Sequence, residues 1–241
     1  MKKTVLILGA SSEIGLALAK YLSEQGCLVL MAARNTLDLE IRLKSSEYDG
    51  CQVLPFEATD FNGHTTWFNL LPEIPNLTIC LFGYLGDQKK AESDWSEANN
   101  IIESNYTGAV SILNVVANSY SKRKSGTIVG FSSVAGERGR QSNFIYGSAK
   151  AGFTAYLSGL RNRLFTQGVH VMTVLPGFMD TKMTRDMNLP KALTAKPDEV
   201  AKLILKAIDR KKNVVYVLSI WFWVMLVIKL IPEFIFKRLK L

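Results

Sequence analysis

The opening residues constrain this chain more than any other stretch. Val5-Leu6-Ile7-Leu8 is an unbroken apolar run, Gly9-Ala10-Ser11-Ser12-Glu13-Ile14-Gly15 follows with a glycine at each end, and a helical pattern then runs through Leu16, Leu18, Ala19, Tyr21 and Leu22 towards Gly26. A continuous apolar strand is what a central parallel strand requires, because both its faces are covered. Lys2 and Lys3 precede the run, but it is too short for the core of a secretory leader, and Ser11-Ser12-Glu13 ends it. A strand, a tight turn and a helix N-terminus leave free backbone N–H groups at the positive end of a helix dipole, where a pyrophosphate can be held. Gly9 permits the turn and Gly15 close packing, while Ser11 and Ser12 add hydroxyl donors. The same pattern also serves an ordinary β-α turn that binds nothing.

The alternation continues. Apolar strands are expected over residues 28–32, 52–56, 77–82, 128–133 and 214–218, with helical patterns over 36–46, 94–120 and 197–208 and around Tyr146. Strands alternating with helices predict an α/β fold, a doubly wound parallel sheet of about seven strands, with ligands beyond the strands' carboxyl ends. The length of 241 residues suits one such domain, read here as residues 1–218 followed by an apolar helical tail over 219–241. Cys27, Cys51 and Cys80 are far apart and only His64 and His170 accompany them. That argues against a metal site or a disulfide framework and fits a reducing compartment.

Four residues are candidates for the chemistry. Tyr146-Gly147-Ser148-Ala149-Lys150 puts a phenol and an ammonium on one helical face. A nearby ammonium favours the phenolate, so the tyrosine's pKa is expected below its usual value of about 10, and Tyr146 could exchange a proton with a carbonyl or alcohol oxygen. Ser133, at the end of a strand, would donate a hydrogen bond to the same oxygen. Asn105 lies mid-helix, which is unfavourable unless its amide satisfies a local kink or holds a water in a proton chain. At the end of the second strand stands Arg34, where an acid would bind the ribose hydroxyls of NAD. An arginine suits a 2′-phosphate, which favours NADP(H) over NAD(H); it could also be an exposed residue opening the next helix. Glu57-Ala58-Thr59-Asp60 closes the third strand, where an acid could meet an adenine edge.

Taken together and in order, Gly9-x5-Gly15, Asn105, Ser133, Tyr146-x3-Lys150 and Pro176-Gly177-x3-Thr181 resemble the short-chain dehydrogenase/reductase family, classical type, over roughly residues 3 to 218. The resemblance implies a Rossmann-like fold and a homodimer or homotetramer. It implies Tyr146 as general acid/base, Lys150 as its pKa modulator and a ligand of the nicotinamide ribose, Ser133 as the group polarising the carbonyl, and Asn105 as support for a proton relay. The cofactor would also touch Gly9, Ser11, Ser12, Ile14, Gly15, Arg34, Glu57, Ala58 and Gly83. Pro176, Gly177 and Thr181 would lie against its carboxamide and pyrophosphate. Four places depart from the family pattern: Leu8 for threonine, Glu13 for glycine, Glu57 for aspartate, and Cys80-Leu81-Phe82-Gly83 for Asn-Asn-Ala-Gly. Ser-Glu-Ile-Gly with Phe-Gly-Tyr-Leu-Gly-Asp-Gln is similar to a bacterial subgroup that includes 2-keto reductases of polyprenyl-phosphoryl pentoses.

Charge adds a further expectation. Residues 1–181 hold 16 Lys+Arg against 16 Asp+Glu and residues 182–241 hold 13 against 5, so the whole net charge of +8 lies in the last quarter. It adjoins the apolar run 214–228, which includes Trp221, Phe222 and Trp223; with its start needed as the last strand, too few residues remain to cross a bilayer needing about 20, and Pro232 would break a helix. The favoured reading is a tail in the membrane interface, with tryptophans at headgroup depth and Lys237, Arg238 and Lys240 facing anionic lipid. A spanning segment, an oligomer contact and a substrate cover are the alternatives. Met179, Met183 and Met187, at helical spacing, form either an adaptable wall over the substrate or ordinary core packing.

These readings converge on an NADP(H)-dependent oxidoreductase acting on an apolar or lipid-linked carbonyl substrate, cytoplasmic and peripheral at the inner face of a membrane. The alternatives are a reductase of small soluble ketones and a regulatory protein that binds the dinucleotide without turnover. Nucleic acid is not an expected partner, since the basic residues adjoin apolar ones and no recognition motif accompanies them.

Overall fold

The computed structural model describes residues 3–44, 46–184 and 189–239. The chain runs β1 (Thr4–Leu8), α1 (Glu13–Glu24), β2 (Leu28–Ala33), α2 (Thr36–Arg42), β3 (Cys51–Pro55), α3 (His64–Asn69), β4 (Leu77–Cys80), α4 (Gln88–Ala91) and α5 (Trp95–Ile102). It continues through α6 (Gly108–Arg123), β5 (Gly126–Phe131), α7 (Phe144–Phe165), β6 (Val169–Leu175), β7 (Phe178–Met179), β8 (Thr194–Ala195), α8 (Pro197–Asp209), β9 (Val214–Tyr216), α9 (Ile220–Leu230) and α10 (Glu233–Phe236). Seven strands form one parallel, Rossmann-like sheet in the order β3-β2-β1-β4-β5-β6-β9.

The apolar runs sort residue by residue onto the two faces of this sheet. Val5, Ile7, Val29, Met31, Ile79 and Val129 pack with Leu18 of α1 and Ile204 of α8. Their neighbours Leu6, Leu8, Leu30, Cys80 and Ile128 pack with Ile112 of α6 and Phe153 of α7. Side chains alternate along a strand, so covering both faces is what removes the polar half of the usual pattern. The strand order reverses at β1, which has β2 on one side and β4 on the other, and that opens a crevice beyond their carboxyl ends.

Several elements differ from expectation. The helix expected over 94–120 is broken by a π-helical turn over Glu103–Thr107, which separates α5 from α6. Strand β5 stops at Phe131 and leaves Ser132 and Ser133 beyond it, β9 ends at Tyr216, and α2 stops at Arg42. Strands β7 and β8 pair with each other in a small separate ribbon. Met179 therefore lies in a strand, and Met183 in a 3-10 turn over Lys182–Thr184, not on one helix. Met187 and Lys240 lie outside the described residues.

The tail departs most from its expected form. Pro232 does end α9, but Trp221 and Met225 face inward and pack with Val134 and Leu175. Trp221 is 4% exposed and Trp223 63%, so only the second is free to meet a headgroup; the first spends its indole on the domain. Among the described residues no helix is long and apolar enough to cross a membrane.

Candidate active site

The turn after β1 is built as its glycines require. Gly9 has φ of 85°, and a Cβ on it would stand 2.6 Å from the backbone nitrogen of Phe82, so a side chain is excluded by both conformation and space. Ser12 caps α1: its Oγ accepts from the Gly15 N–H at 3.0 Å and donates to the Gly9 carbonyl at 3.1 Å. The first-turn N–H groups of Glu13 and Ile14 have no acceptor within the helix. Glu13, which departs from the family's glycine, turns its carboxylate to the far wall, where Oε1 accepts the Lys182 N–H at 3.2 Å.

A cleft of about 430 Å3 extends from this turn. It is lined by Gly9, Ser11, Ser12, Ile14, Arg34, Ala58, Gly83, Ser133, Tyr146, Lys150, Pro176, Gly177 and Thr181, all anticipated from the sequence. Three anticipated residues stand outside it. Gly15 lies beneath the turn, where a Cβ would come 2.6 Å from the Ala10 carbonyl oxygen. The Glu57 carboxylate accepts from the Thr59 N–H and hydroxyl at 3.2 and 2.9 Å and faces a shallower hollow shared with Arg34. Asn105 is buried behind Gly83: its Nδ2 donates to the carbonyls of Tyr84 at 2.5 Å and Ile101 at 2.8 Å, and its Oδ1 accepts the Tyr84 N–H at 3.2 Å. Its amide is thus spent on the π turn and the loop after β4, the kink-satisfying use among the two open to it.

Helix α7 carries the tyrosine and lysine. Ser132 fixes its position, since the Ser132 Oγ donates to the Lys150 carbonyl at 2.8 Å. Lys150 is buried, and its Nζ donates to the Phe131 carbonyl at 3.0 Å and lies 5.7 Å from the centre of the Tyr146 ring. Burial pushes its pKa down to about 8, because a desolvated ammonium is costly. The phenol behaves otherwise than expected. Burial pushes Tyr146 up to about 12, with a hydrogen bond to Ser133 opposing in part, so loss of water around the phenolate decides the direction. Ser133 itself accepts the Ala135 N–H at 3.1 Å.

Two other lining residues are Arg42, which carried no signal in the sequence, and Trp221, which was expected in a membrane-facing tail with a substrate cover as one alternative. Arg42 reaches the cleft and donates to the Ser11 carbonyl at 2.7 Å. Trp221 closes the opposite side over Gly177, where any Cβ would run into the indole ring, and its Nε1 donates to the Leu193 carbonyl at 3.2 Å. Residues 44 positions apart in sequence meet there, and no local spacing announces such a contact.

The comparisons agree with this architecture. The family model of the short chain dehydrogenases matches residues 3–192. An uncharacterised oxidoreductase of Mycobacterium tuberculosis is 34% identical over 98% of this chain and 96% of its own length, and one of Streptomyces coelicolor is 35% identical with the same coverage. Among solved structures, a short-chain dehydrogenase from Sphingobium yanoikuyae in complex with NADPH is 26% identical, with a TM-score of 0.80 over 89% of this chain and 87% of that one. A Burkholderia cenocepacia short chain dehydrogenase in complex with NADP superposes with a TM-score of 0.83 over 98% of this chain and 97% of that one, at 20% identity, and so attests the fold. With a glycine turn at the switch point of a seven-stranded parallel sheet and Ser133, Tyr146 and Lys150 on one cleft, the chain belongs to the short-chain dehydrogenase/reductase family of NAD(P)-dependent oxidoreductases.

Proposed function

We propose that the protein interconverts a carbonyl compound and its secondary alcohol with NADP(H), Tyr146 carrying the proton. The observation behind this reading is that Ser133, Tyr146 and Lys150, from the end of β5 and from α7, share one cleft with the glycine turn of β1. The residues fit a dinucleotide phosphate. There is no room for a Cβ at Gly9, the first-turn N–H groups of α1 have no helical acceptors, and no carboxylate among the described residues pairs with Arg34. When bound, the cofactor supplies or accepts the hydride at the substrate carbon.

The chain's own residues do the rest. Burial keeps the Tyr146 phenol protonated, so it is an acid, and its proton goes to the oxygen that becomes the alcohol while the Ser133 hydroxyl donates a hydrogen bond to the same atom. Below pH of about 8 Lys150 is charged and lowers the cost of the phenolate left behind. Val134, Phe178, Met179 and Trp221 give the cleft an apolar wall, which supports an apolar or lipid-linked carbonyl substrate.

The test is NADPH oxidation against ketones, 2-keto sugars and lipid-linked keto sugars. Tyr146→Phe is expected to lower kcat by about 10²–10⁴-fold with NADPH affinity nearly unchanged, and Arg34→Glu to reverse the preference for NADPH over NADH. Tight NADPH binding with no turnover on any member would overturn the reductase reading in favour of a regulatory binder.

A further inference from the structure

The segment Glu137-Arg138-Gly139-Arg140, between Ser133 and α7, holds three charged groups, of which two are visibly employed. Glu137 accepts from the Tyr216 hydroxyl at 2.8 Å and pairs with Lys229 at 2.6 Å. Arg138 donates to the Ile228 carbonyl at 2.5 Å, the Ile231 carbonyl at 2.7 Å and the Glu233 carboxylate at 3.0 Å. Arg140 does nothing comparable. It lines the cleft, its Nε is buried without any hydrogen-bond partner, and no carboxylate among the described residues pairs with it. Burial alone shifts its pKa, downward. Three residues on, Asn143 also lines the cleft with a buried Oδ1 that accepts from nothing. The turn is closed by the Asn143 N–H donating to the Arg140 carbonyl at 3.1 Å, so donor and acceptor come from one turn and line the cleft that also holds Tyr146.

Buried polar atoms are almost always paired, so a half-buried arginine whose Nε is buried without a partner is the rarer case. Inside a cleft such a group is explained by what enters it. A guanidinium matches the oxygens of a carboxylate or phosphate, which it meets with two parallel N–H donors, while the free Asn143 oxygen suits a hydroxyl donor. The cofactor's pyrophosphate has donors of its own in the first-turn N–H groups of α1, which leaves the guanidinium to another anion. We infer that Arg140, with Asn143, is the specificity-determining subsite for an anionic group, carboxylate or phosphate, borne by the substrate beside its reacting carbonyl. This rests on the reductase reading above.

The test pairs ketones that differ in charge: benzoylformate against its methyl ester, and dihydroxyacetone phosphate against dihydroxyacetone, with NADPH saturating. Wild type is expected to favour the anionic member of at least one pair by tenfold or more in kcat/KM, and the favoured pair tells carboxylate from phosphate. In Arg140→Gln that ratio is expected to fall to near one through KM, while turnover of the neutral partner stays measurable. Arg140→Lys, which keeps the charge but not the fork, is expected to retain part of the ratio. Equal use of charged and neutral ketones by wild type, or an equal loss on both in the variant, overturns the proposal. If no ketone is turned over, the reductase reading falls and the subsite is judged by calorimetric titration of benzoate and inorganic phosphate into the NADP-loaded protein. Binding of either that weakens at least tenfold in Arg140→Gln supports it, and binding of neither, or binding that the variant leaves unchanged, overturns it.

Discussion

Lys150 stands where its charge is hardest to keep, 4% exposed and with one carbonyl as hydrogen-bond partner. Its folded value of about 8 lies below the unfolded value of 10.5. Between the two the unfolded chain holds a proton that the folded one has lost, so stability rises with pH across that window, and below it the full penalty remains. Lys150→Met should therefore raise stability at neutral pH by an amount on the order of 3 kcal/mol, and its advantage over wild type should shrink as pH climbs from about 8 to about 10. Thermal unfolding of both proteins across that range measures this; parallel curves would refute it. A tyrosine and a lysine one helical turn apart could be read directly from the sequence, as could the hydroxyl of Ser133. The direction of the Tyr146 pKa could not, because it is decided by how much water the fold removes, and spacing does not report that.

Among the elements, the π turn over Glu103–Thr107 explains why Asn105 is tolerated in a helix. One extra residue in the turn frees backbone groups, and the Asn105 amide takes up the Ile101 carbonyl while bracing the Gly83-Tyr84 loop on the other side. The arrangement leaves no room at Gly83, where a Cβ would come 2.7 Å from Asn105 Oδ1 and 3.3 Å from Lys150 Nζ. Gly83→Ala is expected to cost about 1–3 kcal/mol in urea unfolding and to lower kcat by disturbing Lys150. Adding Asn105→Ala should recover part of the stability lost to Gly83→Ala, a coupling a double-mutant cycle detects; simple additivity would count against the packing account. The sequence revealed an asparagine in need of a partner, and the long apolar periodicity around it. Neither the split into α5 and α6 nor the β7-β8 ribbon showed, since both depend on contacts between distant segments.

At the scale of the whole molecule, the tail is tied down by the packing of Trp221 and Met225, by the Glu137–Lys229 pair and by Arg138. At the end of α9 the Ile228 carbonyl accepts the Ile231 N–H at 3.4 Å, and Arg138 adds donors to the carbonyls of Ile228, Lys229 and Ile231, with its guanidinium 3.7 Å above the Phe236 ring. Trp221, at the other end of the same helix, lies over Gly177. Arg138→Ala is expected to loosen α9, shift tryptophan emission to the red and lower turnover; unchanged emission would mean that the clamp is dispensable. Holding the tail this way leaves Ile220, Trp223, Val227 and Leu230 exposed at roughly helical spacing, continued by Phe234 on α10, with Lys237 and Arg238 exposed beyond them. The charge split along the sequence pointed to such a surface, but which tryptophan faces outward is decided by packing against Gly177. Apolar residues grouped on one side of a helix beside basic ones are what an anionic interface attracts, and we propose that this stripe docks the protein on such a membrane with the cleft close by. The full chain should then sediment with anionic vesicles and release as salt rises. The triple change Trp223→Ser, Val227→Ser and Leu230→Ser should abolish sedimentation while a water-soluble ketone is still turned over. A wild-type protein that stays in the supernatant would leave the stripe to another occupant and remove the membrane from the account.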